Sequence, residues 1–296
     1  MTASTTDLDL DRRTALAIAF ERRTARRNKI FNRVCAGVLI FFALLWLIPL
    51  LWAVDTSLKP NVETTVTTWL IDNPTFAAYQ ALFSRGDIWN WYASSFITSA
   101  VTAACTVLTA SLAAYALSRM RFRFRELAFF FILAGIMIPG QALVVPQFRL
   151  VDSLGLLNTY WAVILPQIPL AVAVFIFKQF FDGLPRELEE SARLDGASPL
   201  RIFSRIIMPL TLPVVSAVSI FTFVWTWNNL LWPLLVVSNP QLMTIPVGIA
   251  TVQGAFGIRY ADTMASSILA ALPLVLLFLF FQRRMVEGIA GTGLKG

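Results

Sequence analysis

The sequence predicts an all-α membrane protein with six transmembrane helices. Three observations indicate this fold class: a mean hydropathy of +0.69, a composition that is 57% hydrophobic and only 14% charged, and six separate apolar runs. A soluble core helix rarely needs the roughly 20 consecutive apolar residues that match the hydrocarbon thickness of a bilayer. A chain of 296 residues with this composition is therefore expected to be a polytopic membrane protein.

The six apolar runs are the predicted spans. They cover Val34–Val54, Ser95–Leu117, Leu127–Pro146, Thr159–Ile176, Leu210–Val237 and Met264–Phe281. Residues 34–282 then form one six-span domain. Residues 1–33 and 283–296 are predicted to be its N-terminal and C-terminal tails.

The positions of Lys and Arg predict the orientation of the spans. Twenty of the 24 basic residues fall in the N-terminal segment, within 119–125, within 178–205 and in the C-terminal tail. Basic loops resist translocation and stay cytoplasmic. Both termini are therefore predicted to be cytoplasmic. Positive-inside bias and anionic lipid explain the net charge of +7, so no nucleic acid partner is expected.

The predicted spans contain no Asp, Glu, Lys or Arg away from their ends, and the chain has no histidine. Ion pumps, voltage sensors and proton-coupled carriers need ionisable residues within the membrane. Membrane enzymes need acid pairs, histidines or metal ligands. We therefore expect no catalytic residue, no metal site and no cofactor bound by this chain. It also lacks the P-loop motif, so the energy for active transport would come from another polypeptide.

Neutral polar and aromatic residues interrupt the apolar interior. The stretch "WTWNNLLWP" (Trp225–Pro233, hereafter the amide segment) is the clearest case, and prolines break several spans. Broken helices are tolerated where neighbours or a cavity satisfy the freed backbone groups. A path for a neutral, hydroxyl-rich solute needs amides and flat aromatic faces. We predict that Gln141, Trp225, Trp227 and Asn228 face such a path, with hydrogen bonding between packed helices as the alternative.

The stretch "ELEESARLDGASPLRIF" (Glu187–Phe203, hereafter the charged segment) separates two apolar runs. Pro185 is expected in the first turn of a helix, followed by three glutamates where the helix dipole favours negative charge. Leu184, Leu188 and Ala192 are expected to form its apolar side.

The second half of the charged segment predicts another helix. Asp195 and Gly196 form a stop signal, because glycine accepts the left-handed conformation that ends helices. Ser198 is the expected N-cap, with Pro199 at the first helical position. A simple connector needs only a few residues. Two capped helices therefore favour a surface on which another protein docks.

The string "EESARLDGAS…IIMP" resembles the signature loop of the integral permease subunits of binding-protein-dependent ABC importers. That pattern is Glu-Ala-Ala, three residues, Gly, nine residues, then Ile-x-Leu-Pro. Glu190, Gly196 and Pro209 fit its spacing, while Ser191 replaces an alanine and Met208 replaces a leucine. Four further stretches resemble the carbohydrate branch, in particular the smaller maltose-type subunit: "SLKP", "AAYALSRMRFRFR", "WNNLLWPL" and the terminal "GTGLKG".

This resemblance implies the type I importer permease fold, with one extra N-terminal span before a five-span core. It implies a second homologous permease subunit, two ATP-binding subunits that hold ATP and Mg, and an extracytoplasmic solute-binding protein. The location would be the cytoplasmic membrane of a bacterium or archaeon.

The resemblance also implies a role for the loop 181–208 in coupling to the ATPase. A coupling helix would dock on an ATPase subunit, with Glu190 pairing an ATPase arginine. The implied coupling residues are Glu190, Ser191, Ala192, Arg193, Asp195, Gly196 and Ala197. The implied tail contacts to the ATPase are Gly291, Gly293, Lys295 and Gly296.

The function expected from these observations is that of a permease subunit in an ATP-driven carbohydrate importer. A self-sufficient facilitator or channel for small neutral solutes is one alternative, and a membrane enzyme is another. The sequence does not identify the sugar. Polyols and glycerol phosphate esters are alternative cargoes.

Overall fold

The computed structural model describes the backbone of residues 5–65, 71, 73–84, 87–255 and 259–293, and the side chains of these except 5–28, 65, 252–255 and 283–293. Every regular element within these residues is a helix. The helices are α1 (Thr5–Ser57), α2 (Ala77–Ser84), α3 (Ile88–Arg119), α4 (Arg125–Ala134), α5 (Gly140–Ser153), α6 (Tyr160–Ile164), α7 (Ala171–Asp182), α8 (Glu187–Leu194), α9 (Pro199–Ile202), α10 (Met208–Leu210), α11 (Leu212–Trp227), α12 (Leu231–Val236), α13 (Ile245–Ala255) and α14 (Tyr260–Gly293).

Short elements complete the described chain. Single 3₁₀ turns cover Glu63–Thr65, Gly135–Met137, Leu165–Gln167 and Pro240–Leu242, and a π-helical turn covers Phe203–Ile207. Helix α1 continues without a break across residue 33, where the sequence suggested the end of a tail.

Three helical stretches are long and apolar enough to cross a membrane: Lys29–Ser57, Ile88–Arg119 and Tyr260–Gln282. Three bent pairs pass the same test when the two helices of each pair are taken together. They join at angles of 102° after Met137, 48° after Gln167 and 80° after Leu210. The number of spans reaches the predicted six if each bent pair crosses as one unit.

The bends occur where prolines interrupt the sequence. Pro139 precedes α5 at the sharpest bend, and Pro166 and Pro169 flank the second. Pro209 and Pro213 flank the third, at Thr211. Proline removes a backbone donor and restricts the residue before it, so a helix ends or changes direction there. The predicted interruption of these spans is therefore present.

Helix α3 is the centre of the bundle and packs against both α7 and α11. Its buried face carries small and hydroxyl residues at helical spacing, among them Ser95, Ser99, Thr102, Ala110 and Ala114. Small residues allow helix backbones to approach closely where no water drives association. Helix α14 packs against α1 and α11 and completes this side of the bundle.

The outer surface of the bundle is apolar. Helix α1 exposes large side chains between Ile30 and Val54, including Leu39 at 70% and Trp46 at 75% of their accessible surface. Single exposed hydrophobic residues are common on soluble proteins, but a continuous apolar face on a long helix requires a cover. A bilayer or a partner subunit provides such a cover, as the composition predicted.

The fifth predicted span, Leu210–Val237, is wrong as a single element. Helix α11 ends at Trp227, and α12 starts only at Leu231. The backbone N–H of Asn228 bonds back to the carbonyl of Val224, and the side chain of Asn229 accepts from the N–H of Trp232. Asparagine side chains compete with the helix for backbone groups, so the apolar run divides here.

Candidate functional site

The charged segment forms a helix, a turn and a second helix, as predicted. Helix α8 begins at Glu187 with Arg186 as its N-cap, so Pro185 lies just before the helix and not in its first turn as predicted, and the second helix begins with α9 at Pro199. The hydroxyl of Ser198 accepts the backbone N–H of Arg201 at 3.4 Å. The chain then continues through the π-helical turn into α10, which leads to the next long helix.

Gly196 makes the sharp turn possible. Its φ is +77°, a left-handed conformation. The N–H of Gly196 bonds to the carbonyl of Arg193 at 3.0 Å, and the N–H of Ala197 bonds to the carbonyl of Ala192 at 2.9 Å. This pair of bonds is the Schellman motif, which ends a helix by satisfying its last carbonyl groups. The predicted stop at Asp195 and Gly196 is confirmed in position and mechanism.

The inward face of α8 is anchored by a buried ion pair. The Oε1 of Glu189 lies 3.2 Å from the Nε of Arg119, and the two side chains are 4% and 3% exposed. The predicted apolar side of α8 is therefore partly wrong. Leu188 is 40% exposed, while Glu189 is buried in the position that an apolar residue would normally take. The charge is tolerated because a guanidinium is present to neutralise it.

Arg119 joins three elements at this point. It is the last residue of α3, pairs with Glu189 of α8, and donates from Nη2 to the carbonyls of Phe181 and Leu184, the latter at 2.8 Å. Those carbonyls belong to the end of α7 and the link that follows it. A guanidinium has five donors in a fixed plane, so one side chain can bind a carboxylate and cap a helix end together.

Two further polar contacts strengthen this corner. The Nη2 of Arg193 lies 3.3 Å from the Oε2 of Glu189. The hydroxyl of Ser118 donates to Asp182, whose other oxygen lies 2.6 Å from the Nζ of Lys178. The ends of α3 and α7 are thus connected independently of α8.

An apolar cluster lies beneath the charged segment. Its fully buried members include Phe177, Phe181, Ile202 and Ile207, and the rings of Tyr115 and Phe203 pack with centroids 5.2 Å apart. These residues come from α3, α7, α9 and the π-helical turn that follows α9. The segment is therefore packed against the spans on one side.

The outward face of α8 is bare. Leu194 is 91% exposed, and Glu190 and Ser191 are exposed beside it. The seven predicted coupling residues divide between the two faces. Glu190, Ser191, Asp195 and Gly196 are exposed, Arg193 is exposed but bonded to Glu189, and Ala192 and Ala197 pack against the apolar cluster.

Sequence comparison identifies what kind of protein carries this arrangement. Residues 106–286, which include the whole charged segment, match the family described as "Binding-protein-dependent transport system inner membrane component". The chain belongs to this family. It is a membrane permease component of the kind that the signature loop suggested, and members of the family are non-catalytic.

Two relatives show how far the similarity of this permease extends. It is 36% identical over 261 residues to an arabinooligosaccharides transport system permease protein of Halalkalibacterium halodurans, covering 86% of this chain and 94% of the relative. It is also 36% identical over 254 residues to a sulfoquinovosyl glycerol transport system permease protein of Agrobacterium fabrum, covering 84% of this chain and 89% of the relative.

A solved structure shares the fold of the permease. It comes from a bacterial ABC transporter involved in the import of the acidic polysaccharide alginate. The TM-score is 0.77 at 21% identity, over 87% of this chain and 97% of that chain. The type I importer permease fold predicted from the resemblance is therefore the fold observed.

The four predicted pathway residues differ in their exposure. Gln141 is exposed on α5, and Asn228 is exposed at the end of α11. Trp225 is 66% exposed and stacks on Phe221. Trp227 is only 3% exposed, and its indole N–H donates to the carbonyl of Ala270 at 3.2 Å. Trp227 thus packs between α11 and α14 in this conformation.

Another pair of amides holds the amide segment in place. The Nδ2 of Asn229 donates to the Oε1 of Gln167 at 3.0 Å, and Gln167 donates to the carbonyl of Val163 at 2.8 Å. The indole N–H of Trp232 donates to the carbonyl of Ala162 at 2.9 Å. Neutral hydrogen bonds therefore connect α12 and the end of α11 to α6.

The predicted tail contacts fall at the edge of the described chain. The backbone of Gly291 and Gly293 is helical, within the last turns of α14, and Lys295 and Gly296 lie outside the described residues. No group of three His, Cys, Asp or Glu side chains that could hold a metal ion occurs among the side chains that the structure describes.

Sequence reasoning missed the Arg119–Glu189 pair. The sequence pattern predicts only a cytoplasmic charge at Arg119 and one of three glutamates in a first helical turn at Glu189. One signal was present: Glu189 and Ala192 are three residues apart and so share a face of α8. Nothing in the sequence showed that Arg119, 70 residues earlier, ends at the same place.

Proposed function

We propose that this permease is one of two transmembrane subunits of an ATP-driven carbohydrate importer. The named relatives carry arabino-oligosaccharides and sulfoquinovosyl glycerol, both of which contain a sugar. The other proposed components are a second homologous permease, two ATP-binding subunits with ATP and Mg, and an extracytoplasmic binding protein. The individual sugar stays open.

The proposed topology has six spans and two cytoplasmic ends in the cytoplasmic membrane of a bacterium or archaeon. The three long helices and three bent pairs support six crossings. The distribution of Lys and Arg supports the orientation. In this topology the charged segment faces the cytoplasm, where ATPase subunits are available.

The observation that carries the proposal is the anchoring of α8. Its inner face is held by a buried ion pair to α3, while its outer face presents Glu190, Ser191 and Leu194 without cover. A docked helix that is rigidly joined to the spans can convert closure of two distant ATPase subunits into rearrangement of the spans. We propose that Glu190 pairs with an ATPase arginine and that the turn at Asp195 and Gly196 shapes the docking surface.

Two finer assignments accompany this role. Gln141, Trp225 and Asn228 are proposed to face the solute path, since all three are exposed and can bond or stack against a sugar. Trp227 is proposed to pack behind them, because it is buried. The tail residues Gly291, Gly293, Lys295 and Gly296 are proposed to contact an ATPase subunit.

Replacing Gly196 with alanine tests the coupling role. Both Gly196 (φ +77°) and Gly155 (φ +65°) are left-handed, and a Cβ at either position meets nothing within 4 Å. Alanine therefore costs each site a similar amount, about 1 kcal/mol. We expect Gly196→Ala to lower binding-protein-stimulated ATPase activity and solute uptake in the assembled transporter, and Gly155→Ala to leave both close to wild type.

Glu190→Ala extends the test to the docking contact, with Glu187→Ala as its matched control on the same helix. Loss of ATPase subunits from the purified complex is expected for the former only. Normal uptake and assembly with both Glu190 and Gly196 replaced would remove the coupling role. Solute flux through the chain reconstituted alone would favour a self-sufficient facilitator.

A further inference from the structure

The link "RFRFR" (Arg121–Arg125) joins α3 to α4. It is not among the residues proposed for coupling to the ATPase. Together with Arg186, its arginines Arg121, Arg123 and Arg125 line an open groove of about 560 Å³. One acidic residue, Glu126, lies in the same groove. None of the four arginines forms an ion pair with a described side chain. By contrast, nearby Arg119 and Arg193 are both bonded to Glu189.

The groove opens onto an apolar helix face. Phe124 is 60% exposed at its rim, where it lies 5.3 Å below the guanidinium of Arg123. The same face of α4 continues with Leu127 at 50%, Phe130 at 63% and Phe131 at 65% exposure. Residues 124, 127 and 131 follow helical spacing, so they form one stripe leading away from the groove.

We propose that this groove binds the headgroup of an anionic phospholipid, with its acyl chains lying along the exposed stripe of α4. A guanidinium recognises a phosphodiester through paired hydrogen bonds as well as charge. Basic pockets between transmembrane helices on the cytoplasmic side are suited to such headgroups. The stripe of aromatic and aliphatic side chains favours a lipid over a soluble phosphate ester or an acidic protein, neither of which would cover it.

The site is adjacent to the anchored helix. Arg121 and Arg186 also line a neighbouring groove of about 670 Å³ that contains Glu189, Glu190 and Arg193. Arg186 is the residue immediately before α8. A phosphodiester held by Arg186 would therefore lie at the start of α8, so the lipid composition of the membrane would act on the position of this helix.

Native mass spectrometry of the full-length chain, released from phosphatidylcholine nanodiscs, tests the site. The measurement is the apparent Kd of the first bound phosphatidylglycerol, compared with phosphatidylcholine of the same chains. The variant is Arg121→Gln/Arg186→Gln. The matched control is Arg201→Gln/Arg205→Gln, which removes two exposed arginines on the same side that line neither groove.

We expect wild-type protein to prefer phosphatidylglycerol. The groove variant should bind the first molecule roughly 25-fold more weakly, at about a factor of five per arginine, and the control should stay within about twofold. Soluble glycerophosphoglycerol, which has the headgroup without chains, should not compete. Competition as strong as that of the lipid would instead show a site for soluble phosphate esters and overturn the proposal.

Equal binding of the two lipids by wild-type protein would also overturn the proposal, and this comparison requires no variant. Unchanged preference in the groove variant would do the same. If the double variant fails to fold, Arg123→Gln replaces it, with an expected weakening of about fivefold.

Discussion

The charged segment and the amide segment both interrupt apolar helices, but they are held by different chemistry. The charged segment is anchored by the Arg119–Glu189 ion pair and by carbonyl caps from the same guanidinium. The amide segment is anchored by neutral bonds from Asn229 and Trp232 to α6 and Gln167. The ion pair lies at the ends of α3 and α7, whereas the amides lie between helices of the bundle.

This difference follows from the cost of burying charge. An ionised group removed from water must be compensated by a partner and by further hydrogen bonds. Arg119 has both, because α8 provides the carboxylate of Glu189, and the end of α7 and the link after it provide carbonyl groups at the same place. The described bonds from the amide segment to the neighbouring helix join neutral groups, and amides connect elements at a lower desolvation cost. Neutral groups of this kind also suit the proposed path for a sugar.

The largest effect is expected on breaking the ion pair. Glu189→Ala leaves the guanidinium of Arg119 buried without its carboxylate, and removing one partner of a buried pair costs about 3 to 5 kcal/mol. We expect the lower end, because Arg119 keeps the carbonyl of Leu184. The measurements are the thermal midpoint of the purified protein and the rate of protease cleavage within residues 187–203.

Arg193→Ala is the control for this change. The side chain of Arg193 is 52% exposed and is the second partner of Glu189. Its removal should lower stability by less than about 1 kcal/mol. Comparable losses for Glu189→Ala and Arg193→Ala would contradict a special role for the buried pair.

A smaller effect is expected in the amide segment. Asn229→Ala removes the donor to Gln167 and the acceptor for the N–H of Trp232, which should cost about 1 to 2 kcal/mol. Asn228→Ala is the control, because Asn228 is exposed and bonds only to a carbonyl of its own helix, so the change should stay within about 0.5 kcal/mol. The measurement is the thermal midpoint of each variant. A loss for Asn229→Ala as large as that for Glu189→Ala would remove the contrast between the two segments.

The next prediction concerns the cap of α9. Ser198→Ala removes the side-chain acceptor for the N–H of Arg201 and should lower stability by about 0.5 to 1 kcal/mol. Ser204→Ala removes a hydroxyl bond of the same length, 3.4 Å, that caps no helix. We expect Ser204→Ala to be neutral in the same thermal assay. Equal midpoints for the two variants would show that the cap does not hold the second helix.

The smallest effect on stability is expected at Leu194. This side chain is 91% exposed, so Leu194→Ser should change the thermal midpoint by less than about 0.5 kcal/mol. If α8 docks on an ATPase subunit, the same change should still lower stimulated ATPase activity in the complex. Leu200→Ser, at a leucine that is 68% exposed on α9, is the comparison. Equal ATPase activity for wild type and Leu194→Ser would show that this face of α8 is not part of the docking surface.

Local signals in the charged segment predicted its structure well. The stop at Gly196, the cap at Ser198 and Pro199 at the start of α9 depend on residues close in sequence, and all three are present. The apolar side of α8 was predicted less well. Glu189 is buried because it pairs with Arg119, which is far away in sequence. A glutamate therefore faces inward where Leu188 was expected.

The same distinction applies to the interior. Prolines predicted that several spans break, since they disrupt helical hydrogen bonds within a few residues, but they did not predict the break at Asn228 and Asn229. They did not predict which side chains face open space. Trp225 and Trp227 are two residues apart and differ from 66% to 3% exposure, because α14 covers one and not the other.

The sequence by itself determined that this chain is a helical membrane permease and where the charged segment turns from one helix to the next, because hydrophobic length, turn residues and a spaced signature are local properties. The tertiary structure decided which charges meet. It paired Glu189 with Arg119, turned Glu190 outward, and placed four arginines, none of them ion-paired to a described side chain, beside an apolar stripe. Contacts of this kind depend on the packing of distant helices, and residue spacing along one helix carries no information about them.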